Sequence, residues 1–232
     1  MADERVAGEM TNEYAAPDFA KAYLARAGAL PHRGEGEAAL LEALPERVER
    51  VLDLGCGDGR MLALVLAARP GATGAALDSS PPMLAAARKR FAHEAAEGQV
   101  TVAAHNLEEP LPELGEFDVV VSAFAIHHLA PERQRALYCE VLARLRPGGV
   151  FANLEHVSSP TARLEEIFYT TIGRSVADAD PSNQCVSVAR HLEWLAGLGF
   201  ADADCLWKWR ELALLAGSAP AGNAPAGSAA AG

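Results

Sequence analysis

Apolar runs of strand length alternate with helical patterns through the middle of the chain. VLDL (51–54), ATGAAL (72–77), VTVAA (100–104), FDVVVSA (117–123) and VFANLE (150–155) are each bounded by glycine, proline or polar breakers. Between them, RMLALVLAAR (60–69), PMLAAARKRFAHEAAE (82–97) and ERQRALYCEVLARLR (132–146) repeat apolar residues at helical spacing. Such alternation needs crossover connections, so the pattern predicts a mainly parallel sheet with helices on both faces. Ser80-Pro81 reads as an N-cap with proline at the first helical position, and Gly98 as the matching stop. Pro147-Gly148-Gly149 reads as the end of a helix and the turn into the fifth strand.

Beyond that strand the periodicity weakens. TARLEEIFYTTI (161–172) and VARHLEWLAGL (188–198) read as helices, and FADADCLWKWRELALLA (200–216) as two final strands. Ahead of the first strand, FAKAYLARA (19–27) and EGEAALLEAL (35–44) are expected helices joined by LPHR. Residues 217–232, GSAPAGNAPAGSAAAG, have almost nothing to bury, and ordering them would cost entropy without return, so they read as a disordered tail.

Composition narrows the classes. With 232 residues, half of them hydrophobic, the chain is long enough for one sizeable core, and a single domain is expected. A formal net charge of −11 repels a phosphate backbone at long range, so no nucleic-acid partner is expected. The basic triplet RKR (88–90) reads as the solvated face of a helix. Four cysteines, Cys56, Cys139, Cys185 and Cys205, form no CxxC pair, which suggests neither a zinc site nor a disulfide framework. MADERVAGEMTNEY lacks a basic start followed by an apolar core, and no run reaches membrane-spanning length, so a soluble, cytoplasmic protein is expected with no membrane partner.

The chemistry centres on VLDLGCGDGR (51–60). Its glycines, Gly55, Gly57 and Gly59, miss the dinucleotide spacing GxGxxG, whose third glycine would fall at Arg60. Asp53 precedes the loop and Asp58 lies within it, where a pyrophosphate would need donors and positive potential. Carboxylates there suit a ligand that carries a cation and no phosphate. S-adenosylmethionine, with its sulfonium and ammonium, is such a ligand.

These motifs together make the sequence similar to the class I S-adenosylmethionine-dependent methyltransferases. The resemblance runs over residues 48 to 155 through VLDLGCGDG, ALDSSPPML, FDVVVSAFAIHHL and LRPGGVF, and more loosely through GFADADCLWKWRELALLAG. It implies a Rossmann-like, doubly wound α/β fold: a mainly parallel seven-stranded sheet with an antiparallel last strand. It also implies an N-terminal helical lid segment (1–47), a cofactor-binding domain (48–216) and the tail (217–232).

Carried over by residue, Gly55, Cys56 and Gly57 pass beneath the methionine part of the cofactor, and Asp53 addresses its ammonium directly or through water. Asp78, with Ser79 beside it, accepts both ribose hydroxyls, since one carboxylate offers two oxygens; the alternative is a cap on the following helix. Met83 packs on the adenine face or is ordinary core. Where relatives carry Gly-Asp, this chain has His105-Asn106. Asn106 is read as accepting from the adenine amino group with Leu107 N–H on a ring nitrogen, or as a plain turn asparagine. The backbone of Ser122, Ala123 and Phe124 lines the methionine side, and Arg33 is placed to meet the cofactor carboxylate bidentately.

His127, in the HHL run, is the candidate catalytic residue, because an imidazole suits proton removal from an attacking hydroxyl or amine; His128 reads as structural. Glu155 and His156 end the fifth strand at the ligand edge, as base, substrate contact or polar strand end. Tyr14, Tyr23 and His32 join Arg33 as lid candidates. Trp194, Trp207 and Trp209 read as packing rather than as an acceptor pocket, and Cys185 and Cys205 as inert thiols rather than a thiophilic site. The expected function is methyl transfer to a small-molecule O- or N-nucleophile by a monomer or homodimer, without metal. The alternatives are a protein or nucleic-acid methyltransferase, a non-catalytic adenosine-ligand binder, and an NAD-dependent oxidoreductase. The absence of an NPPY-type tetrad at SAFA (122–125) speaks against the first, and the loop spacing against the last.

Overall fold

The structure, a computed structural model, describes residues 30–221. The helix expected at 19–27, together with Tyr14 and Tyr23, lies outside the described residues. Helix α1 (Arg33–Ala43) is followed by β1 (Arg50–Leu54), α2 (Arg60–Ala68) and β2 (Thr73–Asp78). Next come α3 (Pro81–Arg90), the short α4 (Ala92–Ala96), β3 (Val100–Ala104) and β4 (Phe117–Ala123). The chain continues with α5 (Pro131–Arg144), β5 (Leu145–His156), α6 (Ala162–Thr171), α7 (Val188–Leu198) and the hairpin β6 (Ala201–Trp209) and β7 (Leu212–Ser218).

The seven strands form one sheet in the order β3-β2-β1-β4-β5-β7-β6. The first five run parallel, and β7 lies antiparallel between β5 and β6. Alternate residues of one strand serve opposite cores, which is why the runs are apolar throughout rather than alternating. Val51, Val119, Val121 and Leu154 pack with Leu40, Leu62 and Val65 on the α1/α2 face. Leu52, Leu54, Val120 and Phe151 pack with Tyr138, Val141 and Leu195 on the α5/α7 face.

Three boundaries depart from the pattern. The helix expected over 82–97 breaks at Phe91 (φ −98°, ψ 24°), whose ring is buried against Gly59. Packing of one aromatic overrides the continuous periodicity. Pro147-Gly148-Gly149 does not separate α5 from β5: the strand begins at Leu145 and takes the triplet in as an irregularity opposite Phe117–Val119. A Cβ at Gly149 would fall 2.9–3.1 Å from the carbonyl oxygens of Arg146, Asp118 and Phe117, so only glycine fits that crossing. Finally, β7 runs through Ser218 and Ala219 is buried, so the sheet extends into the segment read as tail from residue 217. Backbone pairing with Gly148 and Gly149 holds Ala219 despite its small side chain.

Candidate active site

The strand order reverses at β1, which lies between β2 and β4, and the carboxyl ends of these strands frame an open cleft. It encloses about 640 Å³, its open mouth included. Gly55, Gly57, Asp78, Ser79, Met83, Asn106 and Leu107 line it, together with Ser80, His105, Phe124, Ala125, His128 and Leu129. Asp53, Cys56, Ala123, Arg33 and His127 stand outside this lining.

Two loop glycines differ in what they permit. Gly55 and Gly57 both have positive φ, 65° and 54°. A Cβ at Gly55 would lie 2.3 Å from the Ala125 Cβ, whereas nothing lies within 4 Å of the Cβ position at Gly57. Gly57 therefore offers bare backbone at the cleft, room that a ligand can use. Asp78 closes the other side: Gly57 N–H donates to its Oδ2 and Ser80 N–H to its Oδ1, both at 2.8 Å. Burial pushes this carboxyl up, and the N–H groups of Ser80, Gly57 and Ser79 pull it back. The carboxylate keeps acceptor capacity beyond these donors.

Asp53 is fully buried beneath the loop. Leu62 N–H donates to its Oδ2 at 3.1 Å, so the side chain caps the first turn of α2, where the helix dipole favours an anion. Its Oδ1 has no partner among the described residues. Burial pushes its pKa to about 7, with the charges of Asp78 and Asp58 adding and the Leu62 N–H opposing. Asp58 turns away from the cleft chemistry: Arg90 Nη2 pairs with its Oδ2 at 2.5 Å. Arg88, Lys89 and Arg90 are exposed on their helix as expected, with Arg90 turned onto Asp58, so the acidic groups left at the site are Asp53 and Asp78.

Cys56 is buried, its thiol pushed up by burial, and its backbone N–H donates to Leu77 O. Met83 sits buried in the first turn of α3. Asn106 Oδ1 accepts from Glu108 N–H at 3.1 Å, the geometry of an Asx turn at the rim of the cleft. Ala123 ends β4, and the next residue, Phe124, takes φ 55°, a left-handed conformation unusual for an aromatic. Arg33 lies with its guanidinium 5.4 Å over the Phe124 ring while its Nε donates to Glu37 Oε1 at 2.8 Å. Glu37 also receives two bonds of 2.7 Å from Arg60. Burial raises the Glu37 carboxyl, but Arg60 and Arg33 outweigh it and hold the pKa low.

The β4 and β5 ends carry a second polar group. His127, in a 3-10 turn (Ile126–His128), directs Nδ1 to Glu155 Oε1 at 2.5 Å. Glu155 is fully buried; burial raises its carboxyl, and the His127 charge and hydrogen bond reverse the shift. His156 N–H donates to Glu155 Oε1 at 2.8 Å, and Asn153 Nδ2 donates to Oε2 at 3.3 Å and to the Tyr138 hydroxyl at 3.1 Å. That hydroxyl in turn bonds His191 Nδ1 at 2.9 Å. His156 Nε2 pairs with Glu211 Oε2 at 2.9 Å. His128 is held by Ser182 Oγ at 3.0 Å and pushed down to about 3 by burial and the neighbouring His127, so it is neutral.

Sequence reasoning found His127, Glu155 and His156 but neither their pairing nor Glu211, whose place on the β6–β7 turn carries no motif. Trp194 packs edge-on to Tyr138, Trp207 lies against Gly36, and Trp209 stacks on His32 at 4.5 Å. Cys185 and Cys205 are both pushed up by burial, and no three metal-ligating side chains converge among the described residues.

The sequence profile described as "Methyltransferase domain" matches residues 51–149. Trans-aconitate 2-methyltransferase of Methylobacterium nodulans is 35% identical over 175 residues, 72% of this chain and 63% of that protein. The chain belongs to the class I S-adenosylmethionine-dependent methyltransferases. An uncharacterized methyltransferase of Synechocystis is 38% identical over 105 residues, 45% of each chain. The match thus spans about half to two thirds of the length of these curated relatives. An O-methyltransferase family protein from Burkholderia thailandensis shares the fold with a TM-score of 0.70 at 19% identity, covering 94% of this chain and 64% of that one. Among the described residues no helix is long and apolar enough to cross a membrane. The residues of this methyltransferase cleft suit an adenosine compound without phosphate: bare backbone at Gly57, a carboxyl anchored by backbone N–H groups at Asp78, and a buried carboxyl at Asp53.

Proposed function

We propose that this chain moves a methyl group from S-adenosylmethionine to the oxygen or nitrogen of a small-molecule acceptor. The observation that carries the reading is the open Cβ position at Gly57 beside the anchored Asp78 carboxylate at the strand-order reversal. When bound, the cofactor supplies an electrophilic methyl on a sulfonium. Asp78 accepts from the two ribose hydroxyls with the lone pairs its backbone donors leave, and Ser79 borders that end of the cleft. Met83 and Leu107 flank the adenine, and Asn106 takes its amino group on the amide oxygen.

Gly55, Cys56 and Gly57 carry the methionine part on their backbone, Ala123 borders it, and Asp53 acts on the ammonium from beneath as a buried charge. Arg33 serves the methionine carboxylate from its place over Phe124. This makes α1 part of the cover over the cofactor cleft. His127, its Nδ1–H donated to Glu155, presents Nε2 to accept the acceptor's proton. Positioning and desolvation do the remaining work, because the departing thioether is uncharged. The small organic acid in the name of the Methylobacterium nodulans relative supports the small-molecule class without fixing the acceptor.

Calorimetry with S-adenosylhomocysteine and with NAD tests the cofactor. Binding of the first and not the second is expected, and the reverse would overturn the assignment. Labelled-methyl transfer to an acceptor panel separates an enzyme from a binder.

A further inference from the structure

Two side chains without a fixed hydrogen-bonding sign stand where the cleft meets a purine edge. Around the place assigned to the adenine, the lining is Met83, Leu107 and Leu129, all buried and apolar, together with His105 and Asn106. Glu108 and Glu109, the next carboxylates along the chain, do not line the cleft.

Asn106 carries an acceptor and a donor on one amide. Its Oδ1 accepts from Glu108 N–H at 3.1 Å, which fixes the orientation of the amide and leaves Nδ2 without a partner among the described residues. The oxygen keeps a second lone pair, so an amino group can donate to Oδ1 and an oxo group can accept from Nδ2. His105 is equally two-signed: an imidazole exchanges donor and acceptor between its nitrogens with the tautomer, and Nε2 is buried with no partner among the described residues to fix it.

The backbone that carries these side chains is held from α5. Arg133 donates from Nε to Leu107 O and from Nη2 to Glu109 O, both at 2.7 Å, and Glu140 Oε2 accepts from Leu111 N–H at 2.9 Å. Arg133 and Glu140 also pair with each other. A loop tied at three points presents Leu107 N–H from a fixed place, and a backbone N–H has one sign only.

Adenine and hypoxanthine differ on a single edge. Adenine offers an amino group at C6 and a bare N1, whereas hypoxanthine offers an oxo group and an N1–H. Asn106 meets either group at C6, while Leu107 N–H suits only the bare N1. We propose that the cofactor site also takes 6-oxopurine nucleosides, the hypoxanthine counterparts of S-adenosyl compounds, with Asn106 as the residue that tolerates the exchange. This rests on the cofactor reading proposed above. Asn106→Asp would remove the tolerance, because a carboxylate accepts from an amino group and repels an oxo oxygen.

The test is titration calorimetry of the full chain with S-adenosylhomocysteine and S-inosylhomocysteine, which differ only at C6 and N1. Wild type is expected to bind both, with the adenine compound favoured by about 30-fold or less, since the discrimination is left to one backbone donor. Asn106→Asp keeps an acceptor for Glu108 N–H and should widen that ratio by roughly tenfold or more, mostly by weakening the inosine compound. A wild-type ratio above about 30-fold, or a smaller widening, overturns the proposal. Asn106→Ala removes both ends of the amide and should weaken the two ligands by factors within about threefold of each other. It decides the matter should the carboxylate variant not fold, and unequal losses overturn the proposal. Failure of wild type to bind S-adenosylhomocysteine instead defeats the underlying cofactor assignment.

Discussion

Asp53→Asn separates the electrostatic role of the residue from its packing. The wild-type carboxyl is buried, accepts one backbone N–H and has its pKa raised from 3.8 to about 7. A raised carboxyl favours folding below its unfolded pKa, and that contribution is lost as pH climbs through the folded value. At about 1.4 kcal/mol per pH unit, the step from 3.8 to about 7 is about 4 kcal/mol of stability withdrawn between pH 4 and pH 8. The amide oxygen that the substitution introduces can keep the Leu62 bond while the charge is abolished. The variant should therefore match wild type near pH 4 and exceed it by up to about 4 kcal/mol at pH 8, a rise of the order of 10 °C in Tm for a chain of this size.

Ligand-free melts of both proteins from pH 4 to pH 8.5 measure the difference, and parallel Tm curves would refute the reasoning. A second arm uses the cofactor product. If its ammonium lies over Asp53, binding lowers that pKa and releases about half a proton at pH 7. Titration calorimetry in buffers of different ionisation enthalpy reads this directly. The release should vanish, and affinity fall, in Asp53→Asn.

Three further outcomes follow from the site's geometry. Asp78→Ala should weaken S-adenosylhomocysteine binding by roughly 100-fold or more in calorimetry, because two charge-assisted hydrogen bonds of about 1.5–3 kcal/mol each are lost; unchanged affinity excludes the ribose role. Gly57→Ala and Gly55→Ala should part company: the first, with open space but φ 54°, costs about 1–2 kcal/mol in urea unfolding and blocks ligand binding, while the second collides with Ala125 at 2.3 Å and destabilises far more. Tyr138→Phe strips a buried hydroxyl from Asn153 Nδ2 and His191 Nδ1 and should cost about 1–3 kcal/mol in the same assay, with cofactor affinity intact.

The strands were legible because burial on both faces leaves an unbroken apolar run, and β3, β4 and α7 have the boundaries the pattern predicts. The misread segments are those where a tertiary contact decides. Phe91 breaks a helix by packing on Gly59, and Gly149 admits three carbonyls into a strand. Within the site, the loop residues were legible as spacing and charge, since Gly55, Gly57 and Asp78 are neighbours through a single strand-helix-strand unit. The partners that set the chemistry are remote in sequence. Glu211 lies 55 residues from His156, and Glu155 28 residues from His127. Only the sheet order, with β7 inserted beside β5, brings them together.

The same fold ties α1 to the glycine loop. Glu37 on α1 accepts from Arg33, which stands over Phe124, and from Arg60, the first residue after Gly59. One buried carboxylate thus fixes the Arg33 guanidinium and the N-terminus of α2 at once. Phe124 is held in its left-handed conformation, a strain of about 1 kcal/mol or more, by an N–H bond of 2.8 Å to Leu154 O and by the contact with Arg33. A displacement of α1 would release the Arg33 contact, while the bond to Leu154 O on β5 stays. The position of Arg33 therefore bears on the cleft wall at Phe124, and the glycine loop is attached to α1 through Arg60.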